Sequence, residues 1–251
     1  MFAQPSGSNG TAASAPVDVV IPVFNEERRL QLCVEKLHRF LQQRLPPGSW
    51  QIVIADNGST DRTQAIAQAL AERYPSVRTF HVDRAGRGGA LTYASQHSQA
   101  EIIAYTDVDL STDLEALPRL IGQIQQGGDL AVGSRLLPGA EVVRSFRREM
   151  LSRSYNALVR WIFHAPLTDA QCGFKAMRRR SLLALLPEIQ ARHWFFDTEL
   201  LLKAHRSGLR IRETPVRWVE DPDSRVKLPS TIFQMAWGLI RLRWQMFGNG
   251  H

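Results

Sequence analysis

Asp107 and Asp109 stand two residues apart behind the apolar run Ile102-Ile103-Ala104-Tyr105-Thr106. If both stay extended, their side chains leave the chain on one face. Two carboxylates converging there repel each other unless a cation sits between them. Mg2+ and Mn2+ take oxygen ligands and commonly use one or two carboxylates plus substrate phosphates. The pair therefore suits a metal held against a diphosphate, with a solvated turn as the other reading. Polar groups fall at matching places elsewhere. Phe24-Asn25-Glu26-Glu27, Asp56-Asn57-Gly58-Ser59-Thr60-Asp61 and Asp83-Arg84-Ala85-Gly86-Arg87-Gly88-Gly89 each follow a short apolar run. Ser59, Thr60 and Asp61 also suit helix capping. Capping does not account for Asp56 together with Asp107 and Asp109.

The elements that must position these groups follow from periodicity. The β-branched run Val17-Asp18-Val19-Val20-Ile21-Pro22-Val23 predicts a strand, as do residues 51–55, 77–82 and 102–106. Leu30, Val34, Leu37 and Leu41 recur at helical spacing within 26–44, and further helices are expected over 61–74 and 90–99. Strand–helix alternation predicts βαβ units around a parallel sheet. Right-handed crossovers then gather the loops after the strands along one carboxyl edge, where open α/β sheets bind ligands.

The 251 residues include 44% hydrophobic and 22% charged side chains, a globular composition that excludes collagen, coiled coil and overall disorder. Charge is uneven along the chain. Residues 1–125 hold 11 basic and 13 acidic side chains, net −2, whereas residues 126–251 hold 20 and 11, net +9. Cys33 and Cys172 form no CxxC pair, so a disulfide framework or zinc ribbon is unsupported and a reducing cytosol is the default. Residues 1–16 lack a basic segment followed by an apolar core and read as a disordered leader. No stretch reaches the ~18 apolar residues of a membrane span. A net charge of +7 would allow a nucleic-acid partner. Without a helix-turn-helix or aromatic stacking motif, none is expected.

Taken together, the motifs resemble a known family. Val19-Val20-Ile21-Pro22-Val23-Phe24-Asn25-Glu26-Glu27 resembles the opening strand and nucleotide loop of family 2 (GT-A fold) glycosyltransferases. Asp56-Asn57-Gly58-Ser59-Thr60-Asp61 is similar to their D-D-G-S-x-D element with Asn57 for the second Asp, and Tyr105-Thr106-Asp107-Val108-Asp109 to their metal-binding D-x-D. Gly86-Arg87-Gly88-Gly89-Ala90, Val132-Gly133-Ser134-Arg135, Asp169-Ala170-Gln171-Cys172-Gly173-Phe174-Lys175, Trp194-Phe195-Phe196-Asp197-Thr198-Glu199-Leu200-Leu201 and Pro215-Val216-Arg217-Trp218 resemble the branch that glycosylates polyprenyl or dolichyl phosphate. Within that branch the dolichyl-phosphate glucosyltransferases are nearest and the mannose synthases next.

The resemblance covers about residues 17–230. It implies an α/β fold of GT-A (Rossmann-like) type, a three-layer sandwich with a mostly parallel central sheet. Residues 17–229 would form the transferase domain, with a nucleotide-sugar half (17–125) and an acceptor half (126–229). By position, Pro22, Phe24, Asn25 and Glu26 would line the nucleoside pocket, Asp56 would bond the base, and Arg87 would join the nucleotide-sugar site. Asp107 and Asp109 would hold Mg2+ or Mn2+ on the donor diphosphate, and Arg135 and Lys175 would meet phosphate oxygens. Asp109 and Arg135 are the expected catalytic groups. Two positions depart from the mannose-synthase pattern. Ser111 stands where a Gln can add to the metal shell, and Asp221 where an Arg is placed, with Arg225 or Lys227 as substitutes.

A phosphate monoester acceptor has a second pKa near ~6 and is already ionised at neutral pH, so it needs positioning and neutralisation rather than a base. Arg147, Arg148 and Ser152 follow Arg135 at the family's acceptor-phosphate interval, on a helix with Leu151, Tyr155, Leu158 and Ile162 as its apolar row. Arg144 and Arg160 read as solvated. Trp194 and Asp197 are candidates for the sugar pocket, against core packing for Trp194 and an N-cap for Asp197. His193 is a further sugar-pocket candidate, whereas His38, His81, His97, His164 and His205 have no ligand spacing and read as ordinary.

Residues 230–251 are expected to form an amphipathic C-terminal helix. Gln234, Gly238, Arg241 and Gln245 make its polar stripe, Trp237, Ile240 and Trp244 lie among the apolar rest, and Arg243 falls opposite the stripe. The helix would either lie at a membrane interface or pack on the domain. The whole reading is an inverting, metal-dependent transferase, peripheral on the cytoplasmic face of a membrane, that uses a nucleotide sugar (UDP-glucose favoured) and a polyprenyl phosphate. GDP-mannose as donor, a sugar or protein acceptor, or nucleotide-sugar binding without catalysis are the alternatives.

Overall fold

The computed structural model describes residues 16–82, 86–221 and 228–247. Most of the leader, Asp83, Arg84, Arg225 and Lys227, and the side chain of Arg87 lie outside the described set. The first half alternates as expected: β1 (Val17–Val23), α1 (Leu30–Arg44), β2 (Trp50–Asp56), α2 (Thr63–Arg73), β3 (Val77–His81), α3 (Arg87–Gln96), β4 (Ile102–Tyr105) and α4 (Leu117–Gln125). The second half continues with β5 (Leu130–Ser134), β6 (Glu141–Val143), α5 (Phe146–Phe163), β7 (Lys175–Arg178), α6 (Arg179–Leu185), α7 (Phe196–Arg206), β8 (Ile211–Pro215), β9 (Arg217–Val219) and α8 (Leu228–Phe247).

Seven strands form one sheet in the order β3-β2-β1-β4-β7-β5-β8, and only β7 runs antiparallel to its neighbours. The expected mostly parallel α/β sheet is therefore present, and it draws strands from both halves of the chain. Its strands are apolar on both faces because helices cover both, as parallel sheets require. Val17, Val19, Ile21 and Val23 of β1 pack with α1, α2 and α4. Val20, with Val53, Ile103 and Tyr105, packs with α3, α5, α6, α7 and α8 on the opposite face. The alternation of side chains along each strand thus builds the three layers.

The chain runs from β1 outward to β2 and β3, then returns to place β4 on the other side of β1. The loops leaving β1 and β4 diverge there, which opens the crevice where such sheets bind ligands. A second, two-stranded sheet pairs β6 with β9, and Thr112 bridges to Trp218 of β9.

Candidate functional site

Three loops meet at the crevice, and their own hydrogen bonds explain the motif residues. Asn25 adopts a left-handed conformation at φ 54° after β1. Its N–H donates to Ser59 Oγ at 2.9 Å, and its Oδ1 accepts from the Thr60 N–H at 2.8 Å. The Glu26 N–H donates to Thr63 Oγ1, and the Glu27 N–H to Asp61 Oδ2. Asp61 also accepts from the Thr63 N–H at 2.9 Å. The residues open to a capping reading thus mainly lock one rim loop to the next. Burial works against the charge on Asp61, but these hydrogen bonds prevail and hold its pKa below the usual carboxylate value.

Asp56 ends β2 fully buried. Its Oδ1 accepts from the Ser59 N–H at 3.2 Å, and its Oδ2 lies 2.8 Å from His81 Nδ1. His81 is therefore the partner of the carboxylate assigned to the base, a role its isolated position in sequence did not signal. Asn57 Oδ1 accepts from the Gly86 N–H at 2.8 Å, so the residue that replaces the motif's second Asp ties this loop to the start of α3. Gly86 sits at φ 150°, where an added Cβ would meet the Arg192 carbonyl oxygen at 2.8 Å.

The acidic pair does not continue the strand. β4 ends at Tyr105, and the chain turns, with the Leu110 N–H donating to the Asp107 carbonyl at 3.1 Å and Leu110 at φ 50°. Asp109 is exposed, Asp107 half-buried, and Asp109 Oδ1 accepts from the Ser111 N–H at 2.9 Å. The condition that both residues stay extended thus fails, yet the two carboxylates still share one short turn. The Cys33 thiol in α1 records their company. Burial pushes its pKa up, and the charges of Asp109, Asp107 and Glu26 push it further. The charges of these three carboxylates thus all reach Cys33, in the first turn of α1. No cluster of three or more Asp, Glu, His or Cys side chains suited to a metal exists among the described residues. Two carboxylate ligands with open positions fit a hard divalent cation that completes its shell with phosphate oxygens and water.

The basic half closes on this turn through backbone pairing. Beyond the Thr112–Trp218 bridge, the Asp113 N–H donates to the Arg217 carbonyl and the Val219 N–H to the Ser111 carbonyl. β9 is thereby fixed directly behind the acidic turn. The guanidinium carbons of Arg135 and Arg144 lie 5.5 and 6.0 Å from the Trp218 ring centre. Arg135 forks onto Asp169, with Nε to Oδ2 at 2.7 Å and Nη2 to Oδ1 at 3.0 Å. Burial alone would raise the Asp169 pKa, but the Arg135 charge and hydrogen bonds lower it to about 2. Arg135 is held in its charged form by Asp169, against its own burial, with a smaller contribution from Asp107.

Several expectations change here. Lys175, expected to meet phosphate oxygens, has no exposed surface. It is fully buried on β7, where its ammonium donates to Asp197 at 2.6 Å and to the Cys172 carbonyl. Asp197 does not cap its helix. It lies one residue inside α7, which starts at Phe196, and accepts from Lys175 and from the Tyr105 hydroxyl. Trp194 is exposed, so core packing does not hold for it. Arg144 is almost wholly buried rather than solvated; it pairs with Glu149, and its Nη2 has no hydrogen-bond partner among the described residues. The acceptor trio is split. Arg148 and Ser152 share one face of α5 at i, i+4, whereas Arg147, about 100° away, is exposed. Arg148 pairs with Glu220 at 2.8 Å, and Ser152 Oγ is buried with no partner among the described residues. Asp221 pairs with Arg29 at the start of α1. Ser111 engages the acidic turn through its backbone. The pairings of Asp169 with Arg135, Trp218 with Arg135 and Glu220 with Arg148 carried no local signal, because the partners lie tens of residues apart.

Comparison with known proteins agrees with the resemblance. The profile described as glycosyl transferase family 2 matches residues 18–186. Glycosyltransferase AglD of Haloferax volcanii is 38% identical over 238 residues, which are 94% of this chain and 38% of that protein, so the chain spans about two fifths of that relative. Dolichyl-phosphate beta-glucosyltransferase of Homo sapiens is 31% identical over 90% of this chain and 74% of its own length, and that of Saccharomyces cerevisiae 30% over 90% and 74%. Among solved structures, glucosyl-3-phosphoglycerate synthase of Mycobacterium tuberculosis in complex with uridine diphosphate superposes with a TM-score of 0.69. It is 21% identical, with 96% of this chain and 86% of that one covered. That likeness supports the GT-A-like fold.

Proposed function

This chain belongs to glycosyl transferase family 2, and we propose that it transfers a hexose, glucose from UDP-glucose, onto a polyprenyl phosphate of the dolichyl type. The observation that carries the reading is the junction of the acidic turn with the basic shelf. Residues 111–113, directly behind Asp109, pair with β9, whose Trp218 lies within 6.0 Å of the guanidiniums of Arg135 and Arg144. A site with carboxylates on one side and guanidiniums on the other suits two phosphorylated substrates, one held through a metal and one directly. The names of the relatives support a lipid-phosphate acceptor and glucose.

Asp107 and Asp109 would hold the divalent cation, which when bound neutralises charge on the leaving diphosphate. The rim residues Phe24, Asn25 and Glu26 shape the nucleoside side of the crevice, and Asp56 with His81 underlies it. Arg148 and Ser152, with Arg135 and Arg144, orient the acceptor phosphate. An acceptor oxygen, already anionic, forms the new bond to the anomeric carbon while the bond to the diphosphate breaks and its electron pair leaves with the nucleotide. No side chain has to remove a proton. A single in-line displacement inverts the centre and gives a β-linked product from an α-linked donor. The acceptor places the work at a membrane surface, and we assign the protein to the cytoplasmic face as a peripheral protein. Both cysteines are free thiols, and no described helix is long and apolar enough to cross a bilayer.

The test is a panel of labelled nucleotide sugars offered with polyprenyl phosphate, with and without EDTA. Transfer of glucose from UDP-glucose that stops with EDTA is expected. Transfer that survives EDTA, or none from any donor, overturns the reading. Asp109→Asn should reduce turnover at least ~100-fold, as loss of one strong electrostatic contact to a transition state does. Arg148→Ala should mainly raise KM for the acceptor.

A further inference from the structure

At the basic shelf, Arg148 already holds an anion that belongs to the chain itself. Its Nη1 lies 2.8 Å from Glu220 Oε1, and Glu220 Oε2 accepts from the Ser145 N–H at 2.9 Å. Ser145 is the N-cap residue of α5, and its own side chain makes no capping hydrogen bond. The Glu220 N–H donates to the Val143 carbonyl, which sets the residue directly after β9 beside the start of α5. A carboxylate from 75 positions away thus stands where the helix dipole and a guanidinium both favour negative charge. It leaves part of the shelf unmet. Ser152 Oγ, one helical turn from Arg148, and Nη2 of Arg144, whose guanidinium lies against the Trp218 ring, are buried with no hydrogen-bond partner among the described residues. Glu220 therefore bonds neither of them.

We propose that Glu220 competes with the phosphorylated ligand for Arg148, yielding the guanidinium to the acceptor and reclaiming it from the product. This deepens the proposed function and rests on its assignment of the acceptor to Arg148. A phosphate monoester carries close to two negative charges near neutral pH. When one of its oxygens bonds the anomeric carbon, it becomes a diester with a single negative charge. The charge it loses leaves on the nucleoside diphosphate, with the electron pair of the broken bond. Before transfer the ligand exceeds the carboxylate in charge, and its oxygens can also meet Ser152 and Arg144. After transfer it matches Glu220 in charge, and Glu220 is tethered beside the arginine at a high effective concentration. The exchange weakens both ligands, but only the product falls to the level at which the tethered carboxylate prevails. Glu220 touches no reacting atom and acts through Arg148.

The experiment uses the full chain with geranyl phosphate and, separately, its β-glucosyl diester. Glu220→Gln keeps an oxygen for the Ser145 N–H and removes the charge. Both ligands should bind about 5–10-fold more tightly to that variant, with Tm unchanged. In turnover, the acceptor KM and the product-inhibition constant should fall by the same factor while the donor KM stays where it was. A carboxylate that instead orients Arg148 toward the phosphate gives weaker binding in the variant, and one that only caps α5 gives unchanged binding; either result overturns the proposal. The native chain keeps the test decisive should the variant fold poorly. It should bind the monoester at least ~10-fold more tightly than the diester, and equal affinities overturn the proposal. Tighter binding in the variant with no transfer from any donor overturns the proposed function alone. Transfer with binding unchanged in the variant overturns this inference alone.

Discussion

Lys175 and Asp197 meet beneath the acidic turn with the Tyr105 hydroxyl against the same carboxylate. A charge pair with no exposure is costly to break from one side, because the partner remains charged and unsolvated. Lys175→Met should therefore lower unfolding free energy by about 3–5 kcal/mol. Lys175→Met with Asp197→Leu should recover most of that loss, as denaturant titration of the three variants would report. A phosphate-binding role for Lys175 would give the opposite pattern, with stability kept and donor affinity lost. Asp169 makes a second prediction, about pH. Its pKa is lowered to about 2 in the folded protein from an ordinary 3.8. The stability it contributes is thus complete above about pH 4 and is lost as pH falls toward about 2, worth about 2 kcal/mol in all. Asp169→Asn should flatten that stretch of the stability–pH curve.

Among the elements, α8 shows most clearly how a helix can be legible while its orientation is not. Gly238 lets it approach α7, since a Cβ there would sit 2.6 Å from the Phe195 ring. Gly238→Ala should cost about 1–3 kcal/mol through overpacking, read as a fall in Tm. On the inner side, buried Glu199 accepts from the Gln190 and Ala191 N–H groups and faces both Lys203 and Arg241. The next residue, Arg192, offers its carbonyl to the Gly88 N–H in the first turn of α3. Glu199 therefore joins the seat of α8 to a loop of the crevice. Arg241→Ala should speed amide hydrogen exchange at residues 190–192 and Gly88 while leaving α1 and α2 unaffected. Uniform acceleration throughout would mean a general loss of stability instead.

For the molecule as a whole, the uneven charge of the two halves becomes a division of labour. The net −2 half supplies Glu26, Asp107 and Asp109, whose charges reach the first turn of α1, and the net +9 half supplies Arg135, Arg144 and Arg148. With only two carboxylates at the acidic turn, Mn2+ alone should bind weakly and leave Tm nearly unchanged. Mn2+ with UDP at ~100 times its Kd should add about 2.7 kcal/mol, a rise of ~5–10 °C for a chain of this size. A full shift from Mn2+ alone would require further metal ligands.

Wherever a property depends on neighbours along the chain, the order of residues was enough to specify it. The strands of the first half, the parallel sheet, the rim loops and the acidic pair all follow from periodicity and from groups a few residues apart. Partnership across the fold was not legible in this way. Arg135 with Asp169 spans 34 positions, Tyr105 with Asp197 spans 92, and His81 takes up Asp56 from the adjacent strand. Each of these depends on which strand ends lie side by side. That order arises when β4 inserts beside β1 and β7 runs back between β4 and β5. For the same reason a motif lysine became part of the core, and Gly238 and Arg241 of the helix stripe meant for water turned inward while Gln234 stayed exposed. A polar side chain inside a protein takes the charge or dipole that packing brings to it, and packing is settled only when every layer is in place.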